Sequence, residues 1–316
     1  MIDDVKICIL VPYFGNLPNY FQLWLNSCAY NKRFNWIIYT DDRKQFDYPF
    51  NVTVLYDDFL SFKSKIQLFF EFEVNIPGPY KLCDFRPAFG EIFQNVFLGY
   101  HYWGYCDLDL IFGDIYKSIE MPLKLNFDKI FTRGHLSLIR NDYNLNRLYK
   151  TSSNFYIKVF TSPNHFTFDE SRENGINSYF FVNKLSVYDD IPFSDIYFGS
   201  FEFYPRQLMT IKKIKQNSIF LWNKGVLTRF FLVNGKLSKS EEIYVHLQKR
   251  AMKMSNLNLL QDKFLVTPNL FENVTIQNEL ESILANKFTT KFIYLPYLYF
   301  RFNNMIKLIK SFLKLH

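Results

Sequence analysis

Long apolar runs and paired cysteines are both missing from this sequence. No stretch approaches 18 uninterrupted apolar residues, so we expect no transmembrane helix. The four cysteines, at positions 8, 28, 83 and 106, form no CxxC pair, which favours buried free thiols in a reducing compartment. The acidic start "MIDDVKICIL" lacks the layout of a signal peptide. We therefore expect a cytoplasmic protein.

Acidic side chains are absent from residues 283–316, although this segment carries six basic ones. Removing those six from the 37 basic residues of the chain leaves 31, against 30 acidic residues, so the body is nearly neutral. A nucleic-acid-binding protein usually carries a basic face on its folded domain. The charge distribution therefore argues against a nucleic-acid partner, despite the net charge of +7.

The first part of the chain alternates between strand and helix patterns. "VKICILVPYFG" is typical of a buried parallel strand followed by a loop, and "LPNYFQLWLNSCAYN" has helical spacing with Pro18 near its start. "NWIIYTDD" and "NVTVLY" predict a second and a third strand. The order predicts a βαβ opening and an α/β fold with a parallel sheet. With 316 residues, of which 48% are hydrophobic, the chain is long enough for a sizeable core.

Further elements follow downstream. Apolar spacing in "FRPAFGEIFQNVFLG" predicts a helix from about Pro87, and "YWGYCDLDLIF" predicts the next strand. "DKIFTRG" is strand-like, and Asn234–Gly235 is the expected turn of a late hairpin. We expect domain boundaries at 1–254 (catalytic domain), 255–286 (helical extension) and 287–316 (basic tail).

Two carboxylates interrupt the apolar segment "HYWGYCDLDLIFGDI". Side chains two residues apart on a strand share a face, so Asp107 and Asp109 should project together. Two like charges in apolar surroundings need compensation, and Mg²⁺ or Mn²⁺ binds carboxylate oxygens well. The alternative is a polar strand end, with solvated acids and one of them capping a helix that starts near Gly113.

Five motifs together resemble those of bacterial glycosyltransferases of the GT-A fold that build capsule and lipopolysaccharide: "VPYFG-LPNYF--WL-SC--N", "TDD", "KLCDFRP", "CDLDLIFGD" and a late "HLQKR". The resemblance covers roughly residues 5–252. It implies a Rossmann-like, mainly parallel sheet flanked by helices, followed by a hairpin. It also implies that the DxD pair holds Mn²⁺ or Mg²⁺ against the diphosphate of a nucleotide sugar, probably a UDP-sugar.

The same resemblance implies donor contacts from "PYKLCDFRPAFG". Lys81, Asp84 and Arg86 would contact the donor ribose, sugar hydroxyls or phosphate, since Arg suits phosphate pairing and Asp suits hydroxyls. The alternative is a salt-bridged helix start, in which Asp84 pairs with Arg86 or Lys81.

The end of the first strand would hold the nucleotide base. Pro12, Tyr13 and Phe14 offer an aromatic stacking surface, and Asp41 would contact the base or ribose. The alternative for Asp41 is an ordinary turn residue beside Asp42.

The late motif would complete the metal site. The resemblance implies that His246 is a further metal ligand and that Lys249 or Arg250 meets the diphosphate. A lone histidine is, alternatively, a structural residue.

Two segments are expected to shape the acceptor side, residues 131–141, with Gly134 and His135, and residues 165–175. An inverting enzyme needs a carboxylate base, for which Asp169 and Glu170 are the candidates. Alternatively, Asp169 is the N-cap of a helix and Glu170 lies in its first turn.

The tail after Pro296 predicts a basic amphipathic helix. At 100° per residue, one face carries Phe302, Met305, Ile306, Ile309, Phe312 and Leu313, and the opposite face carries Lys307, Lys310 and Lys314. Arg301 lies near the edge of the apolar face. Such a helix suits an anionic membrane surface, where each lysine contributes about 1 kcal/mol. The alternatives are docking on the protein's own domain and a dimer contact.

The sequence therefore predicts a peripheral enzyme of the inner membrane face that transfers sugar to a lipid-linked or growing surface glycan. A metal-dependent nucleotidyl- or phosphoryl-transfer enzyme is one alternative, although "VPYFGNLP" lacks a glycine-rich phosphate loop. A non-catalytic, membrane-tethered nucleotide-sugar-binding module is the other.

Overall fold

The computed structural model describes residues 5–151, 154–190, 192–211, 214–248, 250–255 and 258–274, with isolated residues 298, 299, 302, 305 and 306. The chain divides into two compact units, Met1–Ile191 and Pro192–His316. The expected boundary at 254 stays a prediction, and most of the expected tail lies outside the described residues.

The first unit contains eight described strands, which run in chain order as β1 (Ile7–Pro12), β2 (Phe34–Thr40), β3 (Val52–Tyr56), β4 (Tyr102–Cys106), β5 (Leu110–Phe112), β6 (Lys129–Arg133), β7 (Leu136–Arg140) and β8 (Val187–Tyr188). Seven of them form one sheet in the order β3-β2-β1-β4-β7-β6-β8. The predicted βαβ opening is confirmed, because β1 pairs in parallel with both β2 and β4, and β2 pairs in parallel with β3.

The sheet is mixed. The pairs β1–β2, β1–β4, β2–β3 and β6–β8 are parallel, whereas β7 is antiparallel to both β4 and β6. Only Gly134 and His135 intervene between β6 and β7, and a parallel pair would need a much longer crossover. The α/β class is therefore confirmed, whereas the finer assignment of this sheet to one fold family stays a prediction.

Helices cover this sheet: α1 (Phe21–Ala29), α2 (Phe59–Gln67), α3 (Phe89–Ile92), α4 (Ile115–Lys124), α5 (Phe155–Thr161) and α6 (Ile176–Val182), with 3-10 helices at Pro79–Ala88 and Leu145–Lys150. The long helix expected from Pro87 is wrong, since α3 has one turn. Beyond it, i to i+3 hydrogen bonds such as Val96 N–H to the Phe93 carbonyl continue the chain in tight turns. Phe89, Phe93 and Phe97 still reach the core, which explains their helix-like spacing.

The second unit contains the strands β9 (Ser194–Asp195), β10 (Ser218–Asn223), β11 (Val226–Val233), β12 (Lys236–Glu242), β13 (Tyr244–His246), β14 (Lys253–Met254), β15 (Lys263–Thr267) and β16 (Leu270–Asn273), and the helix α7 (Arg206–Ile211). Six strands form a sheet in the order β12-β11-β10-β15-β16-β14, and β13 pairs with β9. The predicted hairpin is β11–β12, and positive φ angles at Asn234 and Gly235 produce its turn.

The helical extension expected over 255–286 is wrong where the structure describes it. Strands β15 and β16 form an antiparallel pair there, joined at Pro268–Asn269. A positive φ of 61° at Asn269 makes that tight connection, and Pro268 cannot continue a strand ladder.

Few residues of the predicted tail are described. Leu298, Tyr299 and Phe302 have helical backbone and are more than half exposed. Among all the described residues, no helix reaches the length and hydrophobicity that a bilayer crossing requires. All four cysteines are free, as the sequence predicted, and Cys8, Cys28 and Cys106 are buried, whereas Cys83 is partly exposed.

Gly104 lets the central strands approach one another. A Cβ atom at this position of β4 would lie 2.2 Å from the Ser137 carbonyl oxygen on β7. We expect Gly104→Ala to lower the free energy of unfolding by about 3 kcal/mol, measured by urea denaturation, because backbone would have to move in a close-packed sheet. The matched control is Gly78→Ala, whose Cβ has no described atom within 4 Å and whose effect should stay within about 0.5 kcal/mol. Equal effects of the two changes would contradict this account.

Candidate functional site

The parallel strands of the first unit end at one edge of the sheet. Tyr13 follows β1, Asp41 follows β2 and Asp107 follows β4. The chain order reverses between β1 and β4, because β2 and β3 lie on one side of β1 and β4 lies on the other. In open α/β sheets, ligands bind outside the carboxyl ends of the strands at such a reversal. This edge is therefore the candidate site.

Asp107 and Asp109 lie in a bend and not within a continuous strand. Strand β4 ends at Cys106, β5 begins at Leu110, and the Asp107 N–H donates to the His135 carbonyl at 3.0 Å. The expectation that strand alternation aligns the two acids is wrong. Their side chains nevertheless converge, with carboxylate oxygens within 4.8 Å of one another. Asp114, not either of these two, caps a helix, since its side chain accepts from Lys117 N–H at the start of α4.

Arg86 connects this acidic pair to the expected acceptor side. Its NH2 donates to Asp107 Oδ1 at 2.5 Å, and its NH1 donates to Asp169 Oδ2 at 3.0 Å and to the Gly134 carbonyl at 2.8 Å. The guanidinium thus joins three chain segments that are up to 83 residues apart. Because it remains charged at all ordinary pH values, it offsets part of the negative charge of both carboxylates.

The two candidate base residues occupy different environments. Asp169 is buried, whereas Glu170 is exposed and accepts from the Gly134 N–H at 3.1 Å. Neither lies in a helix, so their alternative reading as an N-cap and a first-turn acid is wrong. The next helix, α6, begins at Ile176, and Gly175 provides no side chain to cap it. Both carboxylates lie beside Gly134, and their role as a base stays a prediction.

Lys129 is a site residue that sequence reasoning missed. It lies on β6 with no exposed surface, and its Nζ makes no hydrogen bond within the described part of the chain. Its ammonium group faces the rings of Tyr105 and Phe180, at 5.9 and 5.4 Å from the centroids. A lysine inside the apolar strand pattern "DKIFTR" was the available signal.

Burial shifts the pKa values of two groups behind the site in opposite directions. It lowers the pKa of Lys129 to about 7, against the opposing charges of Asp169 and Asp189. It raises the pKa of Asp169 to about 7, against the opposing charge of Arg86. Both shifts follow from the cost of a charged form in a low-dielectric interior. Such paired perturbations are concentrated at functional sites.

Lys81 and Asp84 form a salt bridge with each other, which was the alternative to donor contact. Lys81 Nζ donates to Asp84 Oδ2 at 2.8 Å and to the Val159 and Asn164 carbonyls, while Asp84 accepts from the N–H groups of Phe166 and Phe168. Asp84 has no exposed surface, and its partner has almost none. The pair therefore ties the 3-10 helix before Arg86 to the segment before Asp169.

The two aromatic residues after β1, which were expected to contact a nucleotide base, have different surroundings in the structure. Phe14 is buried and packs against Phe59 and Phe62, so it belongs to the core. Tyr13 is partly exposed, and its pKa is raised by burial and by the nearby Asp109 and Asp42. This places the phenol close to the acidic pair.

The remaining residues of that edge hold the backbone in place. Asp41 Oδ1 accepts from Gly15 N–H at 2.7 Å, which gives it a structural role between two loops, and its expected contact with a base or ribose stays a prediction. Pro12 is the last residue of β1. Asp42 accepts from Leu17 and Lys44 N–H groups, and these bonds lower its pKa. Two carboxylates thus fix the loop that carries Tyr13.

In the second unit, His246 lies on β13 and its Nδ1 is 2.8 Å from Asp195 Oδ1 on β9. A carboxylate that orients a histidine ring is common around metal ligands, where the other ring nitrogen binds the metal. The role of His246 as a metal ligand stays a prediction. Gln248 donates to the same Asp195 oxygen at 2.5 Å.

Arg250 is buried in the second unit and donates to four acceptors there, the carbonyls of Phe201, Tyr197 and Ser200 and the Asn269 side chain. These bonds assign it a structural part in this conformation. Lys249, which was expected to meet a diphosphate beside it, lies outside the described residues.

The acidic pair fits a divalent cation. In octahedral coordination at about 2.1 Å, one cation spans two oxygens at most about 4.2 Å apart, and the separation here needs no more than a small side-chain rotation. The donors are oxygens only, which suits Mg²⁺ and Mn²⁺. Asp107 is about one-third exposed, so a ligand can reach it.

The perturbed lysine yields a test by pH. Between about pH 7 and 10.5 the unfolded chain binds a proton at Lys129 that the folded chain does not, so this group's contribution to stability rises with pH. Lys129→Met removes that contribution. In urea denaturation between pH 7 and pH 9.5, we therefore expect the wild type to gain about 3 kcal/mol in free energy of unfolding relative to the variant. A difference that is constant across this range would contradict a lowered lysine pKa.

No curated protein matches this chain. A protein-family model described as a family of unknown function, DUF6625, matches residues 9–275. That match covers most of the first unit and part of the second, and it includes the acidic pair, Arg86 and the segment of Asp169. The chain belongs to the DUF6625 family.

Proposed function

We propose that this protein is a metal-dependent glycosyltransferase of the GT-A type that takes its sugar from a nucleotide donor, a UDP-sugar, and passes it to a lipid-linked or growing surface glycan. The observation that carries the proposal is the Arg86 network. It joins a cation-compatible acid pair at the sheet's switch point to an exposed carboxylate, Glu170, through Gly134. A sugar-transfer site needs such a metal-diphosphate end and an acceptor end side by side.

Asp107 and Asp109 would hold Mn²⁺ or Mg²⁺ at the donor end. When bound, such an ion stabilises the negative charge that a leaving nucleotide diphosphate acquires. Arg86 holds the Asp107 carboxylate in position through its 2.5 Å hydrogen bond. Tyr13, partly exposed beside Asp109, offers a ring against which a nucleotide base can stack.

Glu170 is the better candidate for contact with the acceptor hydroxyl. It is exposed and held by one backbone N–H, whereas Asp169 is buried behind Arg86. We assign Asp169 the task of orienting Arg86, and Glu170 that of accepting a proton if the reaction inverts configuration. A retaining reaction needs no such base, and the proposal does not depend on the stereochemistry.

Association with an anionic membrane surface through the basic tail is part of this proposal. It rests on the pattern of residues 296–316, and it agrees with an acceptor that is linked to lipid. The expected place is the inner face of the cell membrane.

The first test is ligand-induced thermal stabilisation across a panel of nucleotide sugars. With Mn²⁺ present, we expect one donor to raise the Tm by a few degrees at saturation, and its hydrolysis to be measurable. Chelator should abolish both effects, and so should Asp109→Asn, because that change removes one of the two cation-binding carboxylates.

The matched control is Glu120→Gln, which removes one partly exposed acid from α4, where Glu120 pairs with Lys124. This variant should respond as the wild type does. If Asp109→Asn keeps the full response, or if nucleoside triphosphates are cleaved and nucleotide sugars are not, the glycosyltransferase proposal is wrong.

A separate test addresses the tail. Reversing Lys307, Lys310 and Lys314 to Glu should reduce co-flotation with vesicles that contain anionic lipid by tenfold or more, since each lysine contributes about 1 kcal/mol. Vesicles of neutral lipid should bind both proteins weakly.

The control for that experiment reverses three exposed lysines elsewhere, Lys32, Lys236 and Lys239, so the net charge changes equally. Flotation should then persist. An equal loss in the two triple variants would assign the effect to overall charge and contradict a membrane role for the tail.

A further inference from the structure

Two aromatic side chains meet at the surface beside the candidate site. The rings of Tyr80 and His165 lie with their centroids 4.7 Å apart and their planes inclined by 42°. Tyr80 is 58% exposed, although its ring lies against the imidazole, and the His165 side chain is 24% exposed. Tyr80 belongs to the 3-10 helix that carries Arg86, and His165 is five residues before Glu170. The two rings therefore come from chain segments that also supply groups to the site.

The buried Lys81–Asp84 pair fixes the backbone on both sides of His165. Lys81 Nζ donates to the carbonyl of the residue before the histidine, and Asp84 Oδ2 accepts from the N–H of the residue after it at 3.0 Å. The imidazole Nε2 lies 3.8 Å from Asp84 Oδ1, which is beyond hydrogen-bond length. Because Lys81 also follows Tyr80 directly in the chain, one buried pair positions both rings. A ligand would meet a surface that is already ordered, which lowers the entropic cost of binding.

The surroundings of His165 favour its neutral form. Burial lowers the pKa of His165, and the charges of the buried ion pair, of Glu170 and of Arg86 partly cancel one another. Because these charges act on the imidazole, the ring lies within electrostatic range of two groups of the candidate site. At neutral pH, the surface that it forms with Tyr80 therefore consists of two uncharged rings.

Such a surface has the chemistry that binds a sugar. The apolar C–H face of a pyranose packs against the flat side of an aromatic ring, and the sugar hydroxyls around its rim need hydrogen-bond partners. The tyrosine hydroxyl and the imidazole nitrogens can provide them, since these groups donate or accept.

We propose that Tyr80 and His165 form an aromatic platform that binds a pyranose ring of the acceptor glycan. This inference rests on the proposed function, because Glu170, on the same segment as His165, is the acceptor-side carboxylate. The platform holds one sugar of the acceptor while a hydroxyl of that glycan reaches Glu170. The acceptor must therefore offer a pyranose with an open C–H face close to the sugar that is extended.

Saturation-transfer NMR on the full chain tests the platform with a panel of methyl pyranosides: the β-glucoside, the β-galactoside, the α-mannoside and the N-acetyl-β-glucosaminide. We expect at least one of them to bind, with transfer strongest at the ring C–H protons of one face. In Tyr80→Ala, the dissociation constant of that pyranoside should rise by about tenfold, because the more exposed of the two rings is lost. Absence of transfer to the whole panel, or unchanged binding by Tyr80→Ala, would overturn the platform.

A second variant, Tyr80→Phe, separates stacking from hydrogen bonding. It keeps the aromatic ring and removes only the hydroxyl, so the affinity should stay within about threefold of the wild type. A loss as large as that of Tyr80→Ala would mean that the hydroxyl alone makes the contact, and would reject stacking.

The matched control is Tyr143→Ala, which removes a tyrosine that is 70% exposed. Tyr143 follows β7, whose last residue, Arg140, pairs with Tyr102 at the start of β4, so it lies at the opposite edge of the sheet from Asp107. This variant should bind the pyranoside as the wild type does. An equal loss in Tyr143→Ala would assign the binding to exposed aromatic residues in general and reject the platform.

Nucleoside bases also stack on aromatic rings, so uridine is added as a competitor. It should leave the pyranoside bound. Displacement of the pyranoside by uridine, together with transfer to uridine that Tyr80→Ala loses, would identify a base-binding surface and overturn the inference.

The nucleotide-sugar response, measured on the same samples, separates this inference from the proposed function. Donor stabilisation without pyranoside binding would reject the platform and leave the transferase proposal in place. Pyranoside binding that Tyr80→Ala loses, without any donor response, would support the platform as a sugar-binding site and reject the transferase proposal.

Discussion

The site depends on one guanidinium group. Arg86 contacts Asp107, Asp169 and the Gly134 carbonyl at once, and these lie on three segments that are distant in the chain. Without a cation between them, the acids at this edge would repel one another in a partly buried setting, which costs free energy. The arrangement therefore needs a fixed positive charge, and an arginine with five donors in a rigid plane provides it.

A buried ion pair, Lys81 with Asp84, helps to hold Arg86 in position. Lys81 and Asp84 lie in the same 3-10 helix as Arg86 and are buried with their hydrogen bonds made to backbone groups of residues 159–168. Breaking such a pair leaves an uncompensated buried charge. The pair thus fixes the distance between the helix that carries Arg86 and the segment that carries Asp169. Lys81 and Asp84, which were expected to contact a donor, instead help to position Arg86.

Charged groups meet at two further places around this edge. Asp107 and Asp109 converge, and their oxygens suit a divalent cation. Asp169 and Lys129 are both buried, and burial moves the pKa of each to about 7.

Local patterns in the sequence determined much of this protein. The buried strand "ICILVP", the βαβ opening and the Asn234–Gly235 hairpin follow from short-range rules on burial and turns, and the structure contains all three. Asp107 and Asp109 could also be singled out, because charges within an apolar segment are costly without compensation. Arg86 was singled out only through the resemblance to known motifs, and Glu170 only as a candidate base. By contrast, Lys129 was not singled out, because it lies in a segment whose pattern predicted only a strand.

Only the tertiary structure decided how those residues combine. It showed that Asp107 and Asp109 meet through a bend, that Phe14 is a core residue, and that Asp169 and Glu170 differ in burial. The sequence could not reveal that β7 runs antiparallel, or that Arg86 reaches residue 169, because contacts between distant segments depend on packing rather than on local propensity. The sequence determined which charges this protein carries, and the fold determined which of them face one another.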